Sequence, residues 1–569
     1  MPAHTGHNAC VSIERATIGA ALLRAYRRQW LRPDVVAGLT VGAMLVPQSM
    51  AYAELAGLPP QVGLYAVVLA PAAYALVGTS RHLGTGPEPG TAILAAAGVG
   101  AVAGAGDPAR YLALMAALAL LVAAIAAAAR LLRLGFVASL LSKPVLVGYI
   151  TGVGLVLLSS QLQALTGVPV DAGEFFPRVA EFAAGLTQAR GVTLAVGLAS
   201  LALILVLRRV DQRIPGALIA VGAATVVSWA AGLPALGDPV VGAIPPGLPV
   251  PGMPQVGLAD VAALLPVALG VTLVGYTDNV LTARAIGNRM GYRIDADQEL
   301  AGLAVANLAA GAFGGMPVSS SASRSAVPAA LGSKTTLVSI IGSGFVVVTL
   351  LFARGLLSAV PRAALAAVIV AAAIAIVDVD GFRSLWRVSR TEFALAAVTA
   401  LGVMVFDVLI GVLVAVGLSV VVALSRMARP ADAVLGGDAD LDGWVPVTQH
   451  PQARTLPGLL VYRFDAPLFF INIERFRERL SEVLVDNPGE EEWVVLDFEG
   501  VGEVDATAAD GLADLAEFLT TQGVAVVGVA RANVHASRML GRSGLLAPDG
   551  PYRVFPTINA AVRSFQQRH

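Results

Sequence analysis

Uncharged stretches about as long as a bilayer is thick recur through the first 445 residues, and nothing else in the sequence restricts the fold as strongly. A helix needs roughly 20 apolar residues to cross the hydrocarbon, where each backbone polar group must be satisfied within its own segment. Residues 35–53, 111–129, 144–170, 191–207, 261–277, 335–353 and 408–425 meet that need, and 55–80 and 391–409 fit one crossing each. With the apolar runs between them, hydropathy predicts about 14 spans. The chain is 56% hydrophobic and 14% charged, where soluble domains carry roughly 25% charged residues, which excludes an ordinary soluble enzyme.

The charges gather at the end: 27 fall in the last 124 residues, from Pro446 onward, and 50 in the 445 before them. The sequence therefore predicts a cytoplasmic N-terminal segment at 1–32, a membrane domain at 33–428, a linker at 429–445 and a soluble domain at 446–569. A net charge of −1 provides no surplus to neutralise a phosphate backbone, so nucleic acid is excluded as a partner. Cys10 stands alone and rules out an internal disulfide. The six histidines show no metal-ligand spacing and no Gly-rich nucleotide loop precedes a helix, so neither an enzyme, a metal nor a cofactor is expected.

Short cytoplasmic loops are enriched in Lys and Arg. Arg15, Arg24, Arg27, Arg28 and Arg32 precede the first span, and no apolar core ahead of a cleavage site marks a signal peptide there. Alternate loops then carry Arg81; Arg130 and Arg133; Arg208, Arg209 and Arg213; Arg284, Arg289 and Arg293; Arg383, Arg387 and Arg390; and the last span exits into Arg426 and Arg429. The expectation is a multi-pass protein of the cell inner (plasma) membrane with an even number of spans and both termini in the cytoplasm.

Two segments interrupt the helices in a similar way. Gly84-Thr-Gly-Pro-Glu-Pro-Gly90 precedes a short apolar run at 91–103, and Gly314-Gly-Met-Pro-Val-Ser-Ser-Ser-Ala-Ser-Arg324 precedes another that ends at Leu331. Paired interruptions at corresponding places in two halves are the sequence sign of an inverted-repeat transporter. Unwound backbone is tolerated at membrane depth only where it lines a cavity, and a helix N-terminus there offers free N–H groups to an anion. Ser319, Ser320, Ser321 and Ser323 add hydroxyl donors and Arg324 a permanent cation. The alternative is an interfacial loop whose arginine reaches the headgroups.

Acids inside apolar runs are expensive and so are functional candidates. Asp278 and Thr282 share a helix face and could hold sodium or carry a proton, although Asp278 could equally be a structural partner of Arg284 or Arg324. Glu88 is the second candidate, its alternative being a solvated loop carboxylate. Two acids facing one arginine repel a bare anion unless a proton or cation binds too, which predicts coupled transport.

The first span carries Pro47-Gln-Ser-Met-Ala-Tyr-Ala53, followed by Gly57-Leu-Pro-Pro-Gln-Val-Gly-Leu-Tyr65. With Ser80-Arg and Gly86-Pro87, Lys143-Pro144-Val before Gly148, and Pro317-Val-Ser-Ser-Ser-Ala-Ser-Arg-Ser-Ala-Val327, this resembles the SulP family of anion transporters, and most of all its actinobacterial sulfate transporters. The resemblance covers nearly the whole chain and includes a C-terminal STAS domain. It implies 14 segments as two inverted repeats of seven, a core domain moving against a gate domain, and a homodimer. It also implies an anion pocket between the third and tenth segments. Gln48 and Tyr52 would come from the first segment, Glu88 from the third, Asp278 from the eighth, and Ser321, Ser323 and Arg324 from the tenth. Glu88 departs from many members, which carry an apolar residue there, and this favours a proton over simple channel behaviour. Asp278 and Thr282 resemble the acid and hydroxyl of sodium-coupled bicarbonate members.

The tail alternates strands (458–464, 493–498, 524–529) with helices (472–485, 508–520), an α/β pattern. Thr507 with Asp510 fits a capping box at the start of the second helix, and the turn resembles the phosphorylatable Asp-x-Ser/Thr turn of anti-sigma-factor antagonists, which makes Thr507 a candidate for a cytoplasmic regulator. The reading is a secondary active transporter of a small inorganic anion, proton-coupled sulfate uptake by alternating access. Alternatives are a sodium-coupled bicarbonate or dicarboxylate transporter, a passive exchanger or channel, and a membrane-anchored signalling scaffold.

Overall fold

The computed structural model describes residues 18–104, 107–139, 142–211, 214–233, 239–406, 408–438, 443–486 and 491–568. Residues 1–17 of the expected N-terminal segment, with Cys10 and Arg15, lie outside them, as does Arg213. The chain forms two compact units, Met1–Ser419 and Val420–His569, the division falling inside its last long apolar helix.

Among the described residues fourteen helices carry the membrane region, the last crossing the division into the second unit, with others such as Phe175–Ala184 and Val379–Val388 between them. They begin with α1 (Leu31–Leu55), α2 (Pro60–Val77), α3 (Pro89–Ala103), α4 (Pro108–Leu131), α5 (Lys143–Ser160), α6 (Gly191–Val210) and α7 (Gly216–Ala231). They continue with α8 (Leu258–Met290), α9 (Ala296–Ala312), α10 (Ala322–Ala330), α11 (Leu337–Phe352), α12 (Arg362–Ile376), α13 (Arg390–Phe406) and α14 (Val408–Ala428). Among the described residues seven helices are long and apolar enough to cross a membrane, and four shorter apolar ones accompany them. The apolar run at 144–170 is not one span: its helix stops at Ser160, and a short helix, Leu162–Thr166, ends on left-handed Gly167.

The helices sort into two bundles. α1–α4 pack with α8–α11, while α5–α7 pack with α12 and α13. The first four segments of each half thus share the core bundle and later segments of each half share the gate bundle, the arrangement of an inverted repeat. Small residues allow close backbone approach, the usual basis of packing in lipid. A Cβ on Gly148 of α5 would lie 2.2 Å from the Ala396 carbonyl oxygen of α13.

The second unit is an α/β domain. Its six-stranded sheet comprises β3 (Asp432–Asp438), β4 (Gly443–Pro446), β5 (Leu459–Phe464), β6 (Trp493–Asp497), β7 (Val526–Ala530) and β8 (Tyr552–Phe555), in the order β4-β3-β5-β6-β7-β8. β5 to β8 run parallel, and side chains alternate between two apolar layers. Leu460, Tyr462, Val494 and Leu496 meet α15 (Ile473–Asp486) and α16 (Ala506–Thr521). Leu459, Val461, Trp493 and Val495 cluster with residues of α18 (Ile558–Gln566), which follows α17 (Val534–Arg542).

Two expectations for this unit are corrected. Residues 429–445, expected as a linker, carry β3 and most of β4, because the Gly-containing run pairs with β5 and so completes the sheet. Thr507 with Asp510 is not the helix cap. Asp505 is, because its extended backbone brings its carboxylate to accept from the Ala508 amide at 2.7 Å, while Thr507 is exposed inside the first turn.

Candidate functional site

The two interrupted segments meet. β1 (Thr85–Gly86) pairs antiparallel with β2 (Ser319–Ser320), Thr85 opposite Ser320 and Gly86 opposite Ser319, all of them buried. α3 begins just after β1 and α10 just after β2, so two helix N-termini converge on one crossing. The crossing is held from all sides. Ser321 N donates to Gly84 O (3.1 Å), Gly84 N to Ser325 Oγ (2.8 Å) and Ser319 Oγ to Gly275 O of α8 (2.9 Å). Asn307 of α9 binds both backbone groups of Val318. Gly84 has no substitute here, since a Cβ would stand 2.6 Å from Arg324 Cβ.

The two termini are finished differently. Glu88 is the N-cap of α3: its carboxylate accepts from Thr91 N at 3.1 Å, with Pro89 at the first helical position. Ser321 is the N-cap of α10, but its side chain makes no capping bond and instead lies 3.0 Å from Ser323 Oγ. The free N–H groups of α10 therefore remain available to a ligand.

A cavity of about 870 Å³ opens in front of this crossing. Gln48, Tyr52, Glu88, Asp278, Thr282, Ser321 and Ser323 all line it, so the structure brings these expected site residues together. Gln48 and Tyr52 are one turn apart on α1, as are Asp278 and Thr282 on α8, which puts each pair on one face. Glu88 is 8% exposed and is therefore no solvated loop carboxylate.

Arg324 does not line the cavity. It is fully buried behind the wall, where Nη1 donates to Gln48 Oε1 and Nη2 to the Pro87 carbonyl, each at 3.0 Å. The α10 turn carries its side chain back across Gly84 toward α1, whereas Ser321 and Ser323 face the opening. One acceptor site of the Gln48 oxygen is taken up in this way, and its amide group supplies the donors it can offer the cavity. Arg324 thus acts through its field and through Gln48. Among the described residues neither Arg284 nor Arg324 is hydrogen-bonded or ion-paired to Asp278, and Arg324 is held by Gln48 and Pro87 instead.

Sequence reasoning missed several wall residues. Tyr149 of α5 lines the cavity from the gate bundle, while Ser320 of β2, one of the serines expected as donors, lines it too. In the sequence Tyr149 is marked by nothing but its place next to Gly148. Arg208, Arg289, Asp378 and Asp380 stand at the cavity's far end, where α6 and α8 finish. At the other end of α12, Arg362 Nε lies 3.2 Å from Glu54 Oε1 of α1, tying gate to core. Among the described residues no group of three or more His, Cys, Asp or Glu could hold a metal.

Paired half-helices facing a cavity between a core and a gate bundle define a polytopic membrane transporter. The Sulfate permease family model matches residues 31–399 and the STAS domain model residues 450–561, and the chain belongs to the sulfate permease family. It is similar to a probable sulfate transporter of Mycobacterium tuberculosis strain H37Rv, 46% identical over 97% of this chain and 98% of that protein. It is also similar to the chloroplastic sulfate transporter 4.1 of Arabidopsis thaliana, 31% identical over 95% and 81% of the two chains. The solved structure of the murine solute carrier 26 family member A9 anion transporter, in the inward-facing state, aligns with a TM-score of 0.88 at 25% identity, covering 97% of this chain and 94% of that one. The chain is a multi-pass membrane transporter of this family rather than an enzyme, and its second unit is a STAS domain.

Proposed function

We propose that this chain carries out proton-coupled sulfate uptake by alternating access. The observation that carries the reading is the Glu88 carboxylate seated on one of the two helix N-termini that meet in the cavity. An anion approaching α10 meets two helix ends and the field of Arg324, but also Glu88 and Asp278 in the same wall. Like charges repel strongly in a site screened from water, and one proton on Glu88 removes part of that repulsion and frees the α3 terminus for the substrate. Anion and proton then favour each other's binding, which is the thermodynamic content of symport.

The relatives named as sulfate transporters support sulfate as the anion. The excess of arginine on alternate loops supports a cytoplasmic location for the cavity mouth near Arg208 and Arg289 and for both termini, in the inner (plasma) membrane. The Glu54–Arg362 pair at the opposite end then closes the outer side, and alternating access requires it to part. A homodimer rests on resemblance to the family. A cytoplasmic regulator reading the STAS domain rests on that resemblance and on Thr507, which is exposed.

A second reading has its own observation: Asp278 and Thr282 line the cavity one turn apart and could hold sodium, as a sodium-coupled bicarbonate or dicarboxylate transporter would require. Proteoliposomes separate the two. Glu88→Gln should still exchange sulfate but lose accumulation driven by an imposed pH gradient. Accumulation that survives in this variant under a proton gradient alone removes Glu88 as the coupling group, and accumulation that needs sodium instead establishes the second reading. Sulfate flux that follows its own gradient under every condition makes the protein a passive exchanger or channel.

A further inference from the structure

The core side of the cavity is rich in polar groups, whereas on the gate side they gather at the far end, at Arg208, Asp378 and Asp380. Along α5 and α12 the wall is Leu146, Ile150, Val153, Val368 and neighbouring alanines, with one exception. Tyr149 lines the same cavity, is 7% exposed, and its buried hydroxyl has no hydrogen-bond partner among the described residues. Glu88 and Asp278 line the same cavity from the core bundle. A buried hydroxyl without a partner is rare in folded proteins because its lost hydration is not replaced, and such a group at a cavity wall is poised for something that enters.

We infer that the Tyr149 hydroxyl is a hydrogen-bond donor of the gate bundle to the transported oxyanion. The inference deepens the transport reading and rests on it. An oxyanion seated on the open N-terminus of α10 keeps acceptor oxygens directed away from the core, and a phenol O–H on the opposite wall is suited to one of them. The anion then bridges the two bundles, so that its presence is felt by α5 as well as by the core. Leucine, valine and alanine elsewhere on this wall offer no such link.

The test uses the full-length protein, with sulfate as the probe, and the variant Tyr149→Phe, which removes one oxygen and nothing else. Sulfate affinity measured by calorimetry should fall about tenfold, the effect of one hydrogen bond to a charged ligand. The melting temperature without sulfate should stay the same or rise, because the lost hydroxyl satisfied nothing, while the sulfate-induced rise should shrink. Unchanged sulfate affinity in a variant compared with a wild type that binds and transports overturns the inference. So does a variant that fails to fold or melts several degrees lower without sulfate, since the hydroxyl then had a structural partner. A shifted pH profile with unchanged affinity overturns it too, assigning the hydroxyl to Glu88 or Asp278. Wild-type protein that neither binds nor transports sulfate removes the underlying transport reading, and this inference with it; only that last result bears on the reading itself.

Discussion

The two broken segments hold equivalent places in the two halves of the membrane unit, yet one closes its helix end and the other leaves it open. In the first, Glu88 places a carboxylate on the α3 amides, so an anion is already built into that terminus. In the second, Ser321 caps nothing, and a fully buried arginine follows three residues later. A repeated scaffold supplies two positive helix ends facing one cavity, and the side chains decide that only one of them is free. On the proposed proton-coupled reading, one proton on Glu88 would free the closed terminus as well.

That contrast breaks most severely at Arg324. Arg324→Ala should lower chloride affinity about tenfold and sulfate affinity by about the square of that factor, because Coulomb energy scales with ligand charge. Equal losses in calorimetric titrations with the two anions would reduce Arg324 to a holder of Gln48 and Pro87. Next comes the crossing itself. Gly84→Ala puts a Cβ 2.6 Å from Arg324 Cβ and should cost about 1–3 kcal/mol of stability, read as a lower melting temperature. A melting temperature equal to that of the wild type would mean that the strands part without strain and do not fix the site.

The comparison is sharpened by truncating the two caps. Glu88→Ala should destabilise by about 1 kcal/mol through the lost cap, whereas Ser321→Ala should stay within about 0.5 kcal/mol. Equal values for the pair in chemical denaturation would show that the termini are finished alike after all. The smallest effect is expected from the tail. A chain ending after Pro430 should keep its sulfate affinity, because every wall residue lies in the first unit. A chain ending after Val445 should aggregate, since β3 and most of β4 would be left with an unpaired edge. Size-exclusion profiles distinguish the two, and a monodisperse short form without sulfate binding would show that the site depends on the tail.

Hydropathy made the membrane helices legible because the requirement for an apolar, self-bonded segment is local. The Gly-Pro interruptions made the broken helices legible for the same reason, as did the strand and helix periods of the tail. β3 escaped because Gly436 and Gly437 hide its apolar alternation, and its pairing with β5 across a long loop decides that it is a strand. Asp505 rather than Thr507 became the cap because extended backbone at that one position decides which side chain reaches the third amide.

By itself, then, the sequence determined a multi-pass membrane protein, two interrupted helices with donors at their starts, and the acids and hydroxyl Glu88, Asp278 and Thr282 that came to line one cavity, while the family resemblance added Gln48 and Tyr52. Only the tertiary structure decided that Thr85 would pair with Ser320, that Arg324 would turn away from the opening to hold Gln48, and that Tyr149 would line the same cavity from the gate bundle. The reason is physical. Periodicity and capping act over a few residues, whereas the direction of a buried side chain is fixed by what packs against it from segments far away in the chain.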